Sequence, residues 1–186
     1  MAAHIDVIVV EEGAVRPEQK EEMLRLQIAC FDQVTAQEID EDYNRPSVAR
    51  VLAYDQGELI ACAEVFQRTV EYGGQPILLG GFSPCTRQDR RGRGIGTLVC
   101  QAATGYLRRQ GCDMLFLSVD TGRETHPLYE RLGFRMLPRP FIYANIHGEL
   151  KESAGGMIAP LCSPALYGRV LHGDRPFTLT PEIGCW

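Results

Sequence analysis

The chain has 186 residues, 45% hydrophobic and 23% charged, with a formal net charge of -5 and an isoelectric point near 5.4. That length can bury a full core without metals or disulfides, so residues 1–186 are read as a single domain. The acidic balance argues against bulk nucleic-acid binding and mildly favours cationic partners, and no apolar run reaches the about 18 residues of a membrane span.

The start, MAAHIDVIVVEEG, has neither the basic region nor the long apolar stretch and small-residue cleavage site of a secretory leader, so the expected compartment is cytoplasmic. The seven cysteines, Cys30, Cys62, Cys85, Cys100, Cys112, Cys162 and Cys185, are an odd number and stand singly. They read as small buried hydrophobes in a reducing compartment, and neither a disulfide framework nor a metal is expected.

In chain order, IDVIVV reads as a first strand. Pro17 marks a helix start, with Met23, Leu24, Leu26, Ile28 and Phe31 at helical spacing. A polar helical stretch, TAQEIDEDY, follows. From Val48 to Thr86, apolar and β-branched runs are broken at Asp55-Gln56-Gly57 and at Gly73-Gly74, the pattern of an antiparallel three-strand meander. Past Gly96, Leu98, Val99, Ala102, Ala103, Tyr106 and Leu107 keep a helical period up to a stop at Gly111. DMLFLSVD is then a buried strand, HPLYERL a short helix introduced by Thr125 and closed by Gly133, and FIYANI a further strand. The tail alternates MIAPL, a helical PALYGRVLH and PFTLT. A meander followed by βαβ-like units predicts one mixed α/β (α+β) domain.

The stretch RRGRGIGTL, residues 90–98, links the fourth strand to the next helix. In that setting the first-turn amides and the positive end of the helix dipole face an anion, and glycines let the backbone approach it, so the tract can cradle a pyrophosphate. No Lys-Ser or Lys-Thr follows, as a Walker A loop requires, and Gly92-x-Gly94-x-x-Thr97 misses the last glycine of a dinucleotide fingerprint. Nucleotide hydrolysis and dinucleotide redox chemistry both lose ground.

What the tract does meet is R/Q-x-x-G-x-G/A, through Arg91-Gly92-Arg93-Gly94-Ile95-Gly96, and this resembles the acetyl-CoA-binding motif of the GCN5-related N-acetyltransferases (GNAT). SVDTGRETHPLYERLGF resembles that family's second landmark, a strand and then a helix carrying L-Y-E-x-L-G-F, here Leu128 to Phe134. The resemblance implies the GNAT fold, a mixed central β-sheet flanked by helices on both faces, and acetyl-CoA as cosubstrate. It implies that amides of Arg91 to Gly96, with Thr97 in the same tract, hold the pyrophosphate, and that Cys85 and Thr86 border the coenzyme. Arg91 and Arg93 become candidates for bonds to its phosphates. Arg87 and Arg90 either reach the ribose phosphate or form a solvated face.

Acetyl transfer needs a neutral amine, and an alkylammonium of pKa about 10.4 must first lose its proton. The family often passes it to a carboxylate on the central strands. Glu64 in ACAEVFQR is the first candidate and Asp120, at the end of the fifth strand, the second; for both, an acid merely facing solvent is the alternative. A fixed N–H near Ser83 to Thr86, though not at Pro84, is the expected oxyanion donor. By its place in L-Y-E-x-L-G-F, Tyr129 is the expected acid that protonates the leaving thiolate. Cys85 raises a covalent route, but His4, His126, His147 and His172 are scattered and none is marked as its partner. Direct transfer in a ternary complex is therefore preferred.

The middle of the chain resembles the aminoglycoside 2′-N-acetyltransferases and, more distantly, the nodulation acyltransferases. Ile60-Ala61 through Arg68 match an h-A-x-x-x-x-x-R segment on the third strand, where h is apolar, and Trp186 resembles the aminoglycoside enzymes' ending, which lines the acceptor pocket. The likeness implies a small-molecule amine acceptor, an aminoglycoside or amino sugar, with Trp186 and Ser83 at the substrate. Ile183-Gly184-Cys185 stand where those enzymes have acidic residues, and Arg123, Glu124, Thr125 and Pro127 lengthen the connection before Tyr129. Acetylation of a protein N-terminus or lysine, and a non-catalytic acetyl-CoA sensor, stay open as alternatives. No nucleic-acid or membrane partner is expected; a homodimer is compatible with a fold that often pairs elements between subunits.

Overall fold

The computed structural model describes residues 5–30, 47–119, 126–145 and 147–183. Strand β1 (Ile5–Glu11) leads through a 3-10 turn at Glu12–Ala14 into α1 (Pro17–Cys30). The meander is β2 (Ala49–Asp55), β3 (Glu58–Tyr72) and β4 (Gln75–Thr86). A 3-10 turn at Gln88–Arg90 then leads to α2 (Ile95–Arg109), followed by β5 (Met114–Ser118), α3 (His126–Arg131), β6 (Arg135–Met136) and β7 (Phe141–Ala144). The remaining elements are β8 (Leu150–Ser153), β9 (Gly156–Pro160), α4 (Pro164–His172) and β10 (Phe177–Ile183). One mixed sheet has the order β1-β2-β3-β4-β5-β9-β6, and a second β10-β7-β8. The expected strands and helices that fall among the described residues are present; β6 and β8 are additions, short segments without clear apolar alternation. TAQEIDEDY, Phe31, Asp120, Thr125, Ile146 and Trp186 lie outside the described residues.

Both meander turns use two residues of positive φ, Gln56 (52°) with Gly57 (83°) and Gly73 (62°) with Gly74 (79°). Such turns match the right-handed twist of the flanking strands. Between Leu59 and Phe66, β3 is buried at every position except Glu64. A strand covered on both faces reads as a continuous apolar run, so the acid that interrupts it stands out.

The chain groups into two compact units, each discontinuous in sequence: residues 1–66 with 82–106, and 67–81 with 107–186. In the first, Met23 and Leu26 of α1 pack on Leu52, Leu59, Cys62 and Cys85. Pro17 opens α1, where its missing N–H costs nothing. The buried face of α1 is Gln19, Met23, Leu26 and Gln27, whereas Ile28 is 39% exposed. Apolar spacing alone predicts otherwise. The helix presents amides because Gln27 bonds the half-buried Glu64 and Gln19 accepts from the Arg16 amide at 3.0 Å, so both polar groups are satisfied.

In the second unit, β4 pairs in parallel with β5 through Leu79–Met114 and Gly80–Leu115. Phe116 packs edge-on against Phe141 at 5.0 Å and tilted against Phe177 at 5.7 Å. Glycine is required beside them: a Cβ on Gly156 would lie 2.9 Å from the Phe141 ring, and one on Gly155 only 2.0 Å from the Val119 carbonyl oxygen. The fifth strand begins one residue later than DMLFLSVD suggests because Asp113 serves the surrounding loops. Its carboxylate accepts the Leu78 amide at 2.8 Å and the Ser163 hydroxyl at 2.5 Å, and its carbonyl accepts the Ser163 amide at 2.9 Å.

Candidate active site

The glycine and arginine tract forms the entry to α2 in the first unit. Gly92 and Gly94 have φ of +74° and +79°, and no protein atom lies within 4 Å of a Cβ placed on either. Side chains other than glycine rarely adopt that backbone, and the space above it is open to a ligand. The first intrahelical bond runs from the Leu98 amide to the Gly94 carbonyl. Among the described residues the amides of 92–97 donate to no backbone carbonyl, whereas the Arg91 amide is engaged with Gln88 at 3.3 Å. The amides left unspent by the backbone are thus those of Gly92 to Thr97. Ile95, 2% exposed, anchors the first turn of the helix in the core.

The arginines divide. The Arg87 guanidinium bonds Asp89 at 2.6 and 3.1 Å and also Glu58, and Arg90 bonds Asp55 at 2.8 Å. Both are held by carboxylates on neighbouring turns, which is the alternative to reaching a ribose phosphate. Arg91 donates through Nε to the Thr86 carbonyl at 3.1 Å, and Arg93 is exposed. These two remain available to anionic oxygen. A pyrophosphate fits this set: unspent first-turn amides, two left-handed glycines and two guanidiniums that no carboxylate among the described residues claims.

On β4, Ser83 and Thr86 are half-buried and Cys85 is buried. The Cys85 thiol points into the core under α1, donating to the Leu26 carbonyl at 3.7 Å. The Cys30 thiol acts to lower its pKa, but the Cys62 thiol and burial outweigh this and push it up. A thiol so held stays protonated and is a poor nucleophile. Thr86 does more than border the tract, since its carbonyl also accepts the Cys30 thiol at 3.4 Å.

Glu64 is the centre of a network that the sequence did not reveal. Its register partner across the sheet is Arg50, whose Nη1 lies 2.9 Å from the Glu64 carboxylate. The same guanidinium bonds Glu12 through Nε at 2.8 Å, and Glu12 also accepts from Lys20 and Ser47, each at 2.8 Å. Burial acts to raise the Glu12 pKa, but these hydrogen bonds overcome it and hold the acid at about 2. For Glu64 the balance is reversed. Burial raises its pKa, the neighbouring Glu12 charge adds to that, and Arg50 and Gln27 oppose without prevailing. The missed partners, Glu12, Gln27 and Arg50, come from three separate elements, and only the register of β2 against β3 brings Arg50 opposite Glu64.

In the second unit, Tyr129 lies on α3 and is 8% exposed. Its ring packs edge-on against Phe134 at 5.9 Å, and its carbonyl accepts the Phe134 amide at 3.0 Å. The L-Y-E-x-L-G-F sequence thus closes on itself, with Gly133 at φ +91° making the turn. His126 starts the same helix, and its Nε2 is buried without a hydrogen-bond partner among the described residues.

The sequence matches the profile of the Acetyltransferase (GNAT) family over residues 18–134, a span that includes both the α2 entry and the L-Y-E-x-L-G-F turn. The chain belongs to the GNAT acetyltransferase family. Membership makes it an acyl-CoA-dependent N-acetyltransferase. No curated protein sequence matches it closely. Among solved structures, it resembles the ribosomal-protein-S18-alanine N-acetyltransferase of Escherichia coli at 16% identity and a TM-score of 0.58, covering 84% of this chain and 94% of that one. The aminoglycoside N-acetyltransferase AAC(6')-Iy, in complex with CoA, aligns at 17% identity and a TM-score of 0.54, covering 75% and 93%. A GCN5-related N-acetyltransferase from Kribbella flavida aligns at 18% and 0.57, covering 75% of this chain but 35% of that longer one. At these identities the likeness establishes the GNAT fold and leaves the acceptor undetermined.

Proposed function

We propose that this GNAT domain transfers the acetyl group of acetyl-CoA directly to a primary amine of a small molecule, an amino sugar or aminoglycoside being the expected class. The observation that carries the reading is Glu64: a half-buried carboxylate whose pKa is raised by partial burial and by Glu12, on a central strand, where the family often places its proton acceptor. Acid–base catalysis works best when the base titrates near the working pH. Acetyl-CoA supplies the activated acyl carbon as a thioester; Gly92 to Thr97 with Arg91 and Arg93 hold its phosphates. Glu64, directly or through water, takes the proton from the amine. The backbone N–H groups of Ser83 to Thr86, Pro84 excepted, provide the oxyanion donor, and Tyr129 returns a proton to the thiolate. The buried, protonated Cys85 thiol supports direct transfer over an acyl-cysteine route.

The small-molecule class rests on the resemblance of the Ile60-to-Arg68 segment to the aminoglycoside 2′-N-acetyltransferases. The test is purified protein with acetyl-CoA and a panel of aminoglycosides, polyamines, amino acids and short peptides, followed by thiol release and product mass. Acetylation of aminoglycosides or amino sugars with inert peptides supports the reading. Turnover of peptides alone would replace it with protein acetylation, and coenzyme binding without any turnover would replace it with a sensor.

A further inference from the structure

A cavity of about 360 Å³ lies in the second unit between the β3–β4 turn and the C-terminal end of α4. Its walls include Tyr72, Gly73, Arg169, Gly173, Asp174 and Arg175, none of which belongs to the α2 entry or to the Glu64 network. Small-molecule sites occupy about 300–1,000 Å³. We propose that this cavity binds the phosphate group of a small molecule.

Two guanidiniums converge there on one glycine. A Cβ on Gly73 would lie 3.6 Å from Arg175 Nη1 and 3.8 Å from Arg169 Nη2. Arg139 is not on the wall but braces the residues that are: Nε donates to the Arg175 carbonyl and Nη2 to the Val170 carbonyl, each at 2.7 Å, and Nη2 also to the Tyr72 hydroxyl at 3.2 Å.

Charge bookkeeping points the same way. Among the described residues none of the three arginines forms an ion pair with a carboxylate; Arg169 bonds only the neutral side chain of Gln75. The end of α4 contributes about half a negative charge, and Asp174 one more, against the two guanidiniums on the wall. The excess is positive, and like charges held together at partly screened sites repel unless an anion joins them. His172, also on the wall, adds a donor. Two guanidiniums arriving from separate segments suit a tetrahedral phosphate better than a planar carboxylate, which one fork satisfies. Gly173 keeps the wall in place, since a Cβ there would lie 2.1 Å from the Tyr72 hydroxyl and 2.6 Å from the Arg169 carbonyl oxygen.

The test is calorimetric titration of the whole chain with inorganic phosphate, glucose 6-phosphate and acetate, at ionic strength held constant with chloride. Saturable binding of phosphate or of the ester is expected, with Arg169→Gln and Arg175→Gln each weakening it about tenfold and the double variant abolishing it. Both side chains are exposed, so unchanged thermal unfolding checks that the variants fold. Tighter binding of the ester assigns a phosphorylated metabolite as occupant, and equal affinity assigns the free ion. Arg25→Gln, on α1 and outside the cavity, should leave binding unaltered. The proposal is overturned by no saturable binding, by an equal loss in Arg25→Gln, or by acetate binding as tightly as phosphate.

Discussion

At Glu64, burial and Arg50 pull in opposite directions; burial is the larger effect, and the charge of Glu12, which shares the Arg50 guanidinium, adds to it. Two consequences can be measured in pH profiles of kcat/KM. The rate should rise with pH through an inflection above the ordinary carboxylate range, because the base must be ionised to work. Glu64→Gln should remove that inflection and lower kcat about 100-fold or more. Glu12→Gln frees Arg50 for Glu64 and removes a neighbouring negative charge, so the inflection should move to lower pH. An unmoved inflection would show that another group is the base. Tyr129→Phe should lower kcat while leaving acetyl-CoA affinity nearly intact; a fully active variant would reduce Tyr129 to its packing against Phe134.

Among the elements, those legible in the sequence were the ones with a strong local signal. Paired positive-φ turns at Gln56-Gly57 and Gly73-Gly74 fixed the meander, and Gly92 and Gly94 fixed the entry to α2. The buried face of α1 carries Gln19 and Gln27 beside Met23 and Leu26, and apolar periodicity cannot register the two amides. β6 has two residues and β8 exposes most of its positions, so neither carries a pattern. The pairs Glu64–Arg50, Arg87–Glu58 and Arg90–Asp55 are not legible for a related reason: each joins different elements, and only strand register and turn geometry create it. The connection from β8 to β9 gives a prediction of its own. Gly155→Ala would drive a Cβ against the Val119 carbonyl and disturb the bond from the Val119 amide to the Gly155 carbonyl, now 2.8 Å. A loss of roughly 2 kcal/mol or more in denaturant unfolding is expected; a neutral Ala variant would show that the loop relaxes freely.

For the whole molecule, the two network acids impose opposite pH dependences on stability. The pKa of Glu12 falls on folding from 4.5 to about 2, so its contribution is present above 4.5 and lost as pH drops through about 2. The pKa of Glu64 rises on folding, so the folded state binds the extra proton and stability falls as pH climbs through the window above 4.5. Thermal unfolding should therefore weaken on the acid side, and Glu12→Gln should flatten that decline; parallel curves would mean that other carboxylates govern it. The account as a whole depends on the α2 entry holding the coenzyme, since every proposed step presupposes acetyl-CoA in place. The most direct test is calorimetric titration of acetyl-CoA into the native chain and into Gly94→Asp, whose side chain would put a negative charge on a left-handed backbone beside the phosphate amides. Saturable binding by the native chain that vanishes in the variant is the predicted result. Unaltered affinity in Gly94→Asp would contradict the account.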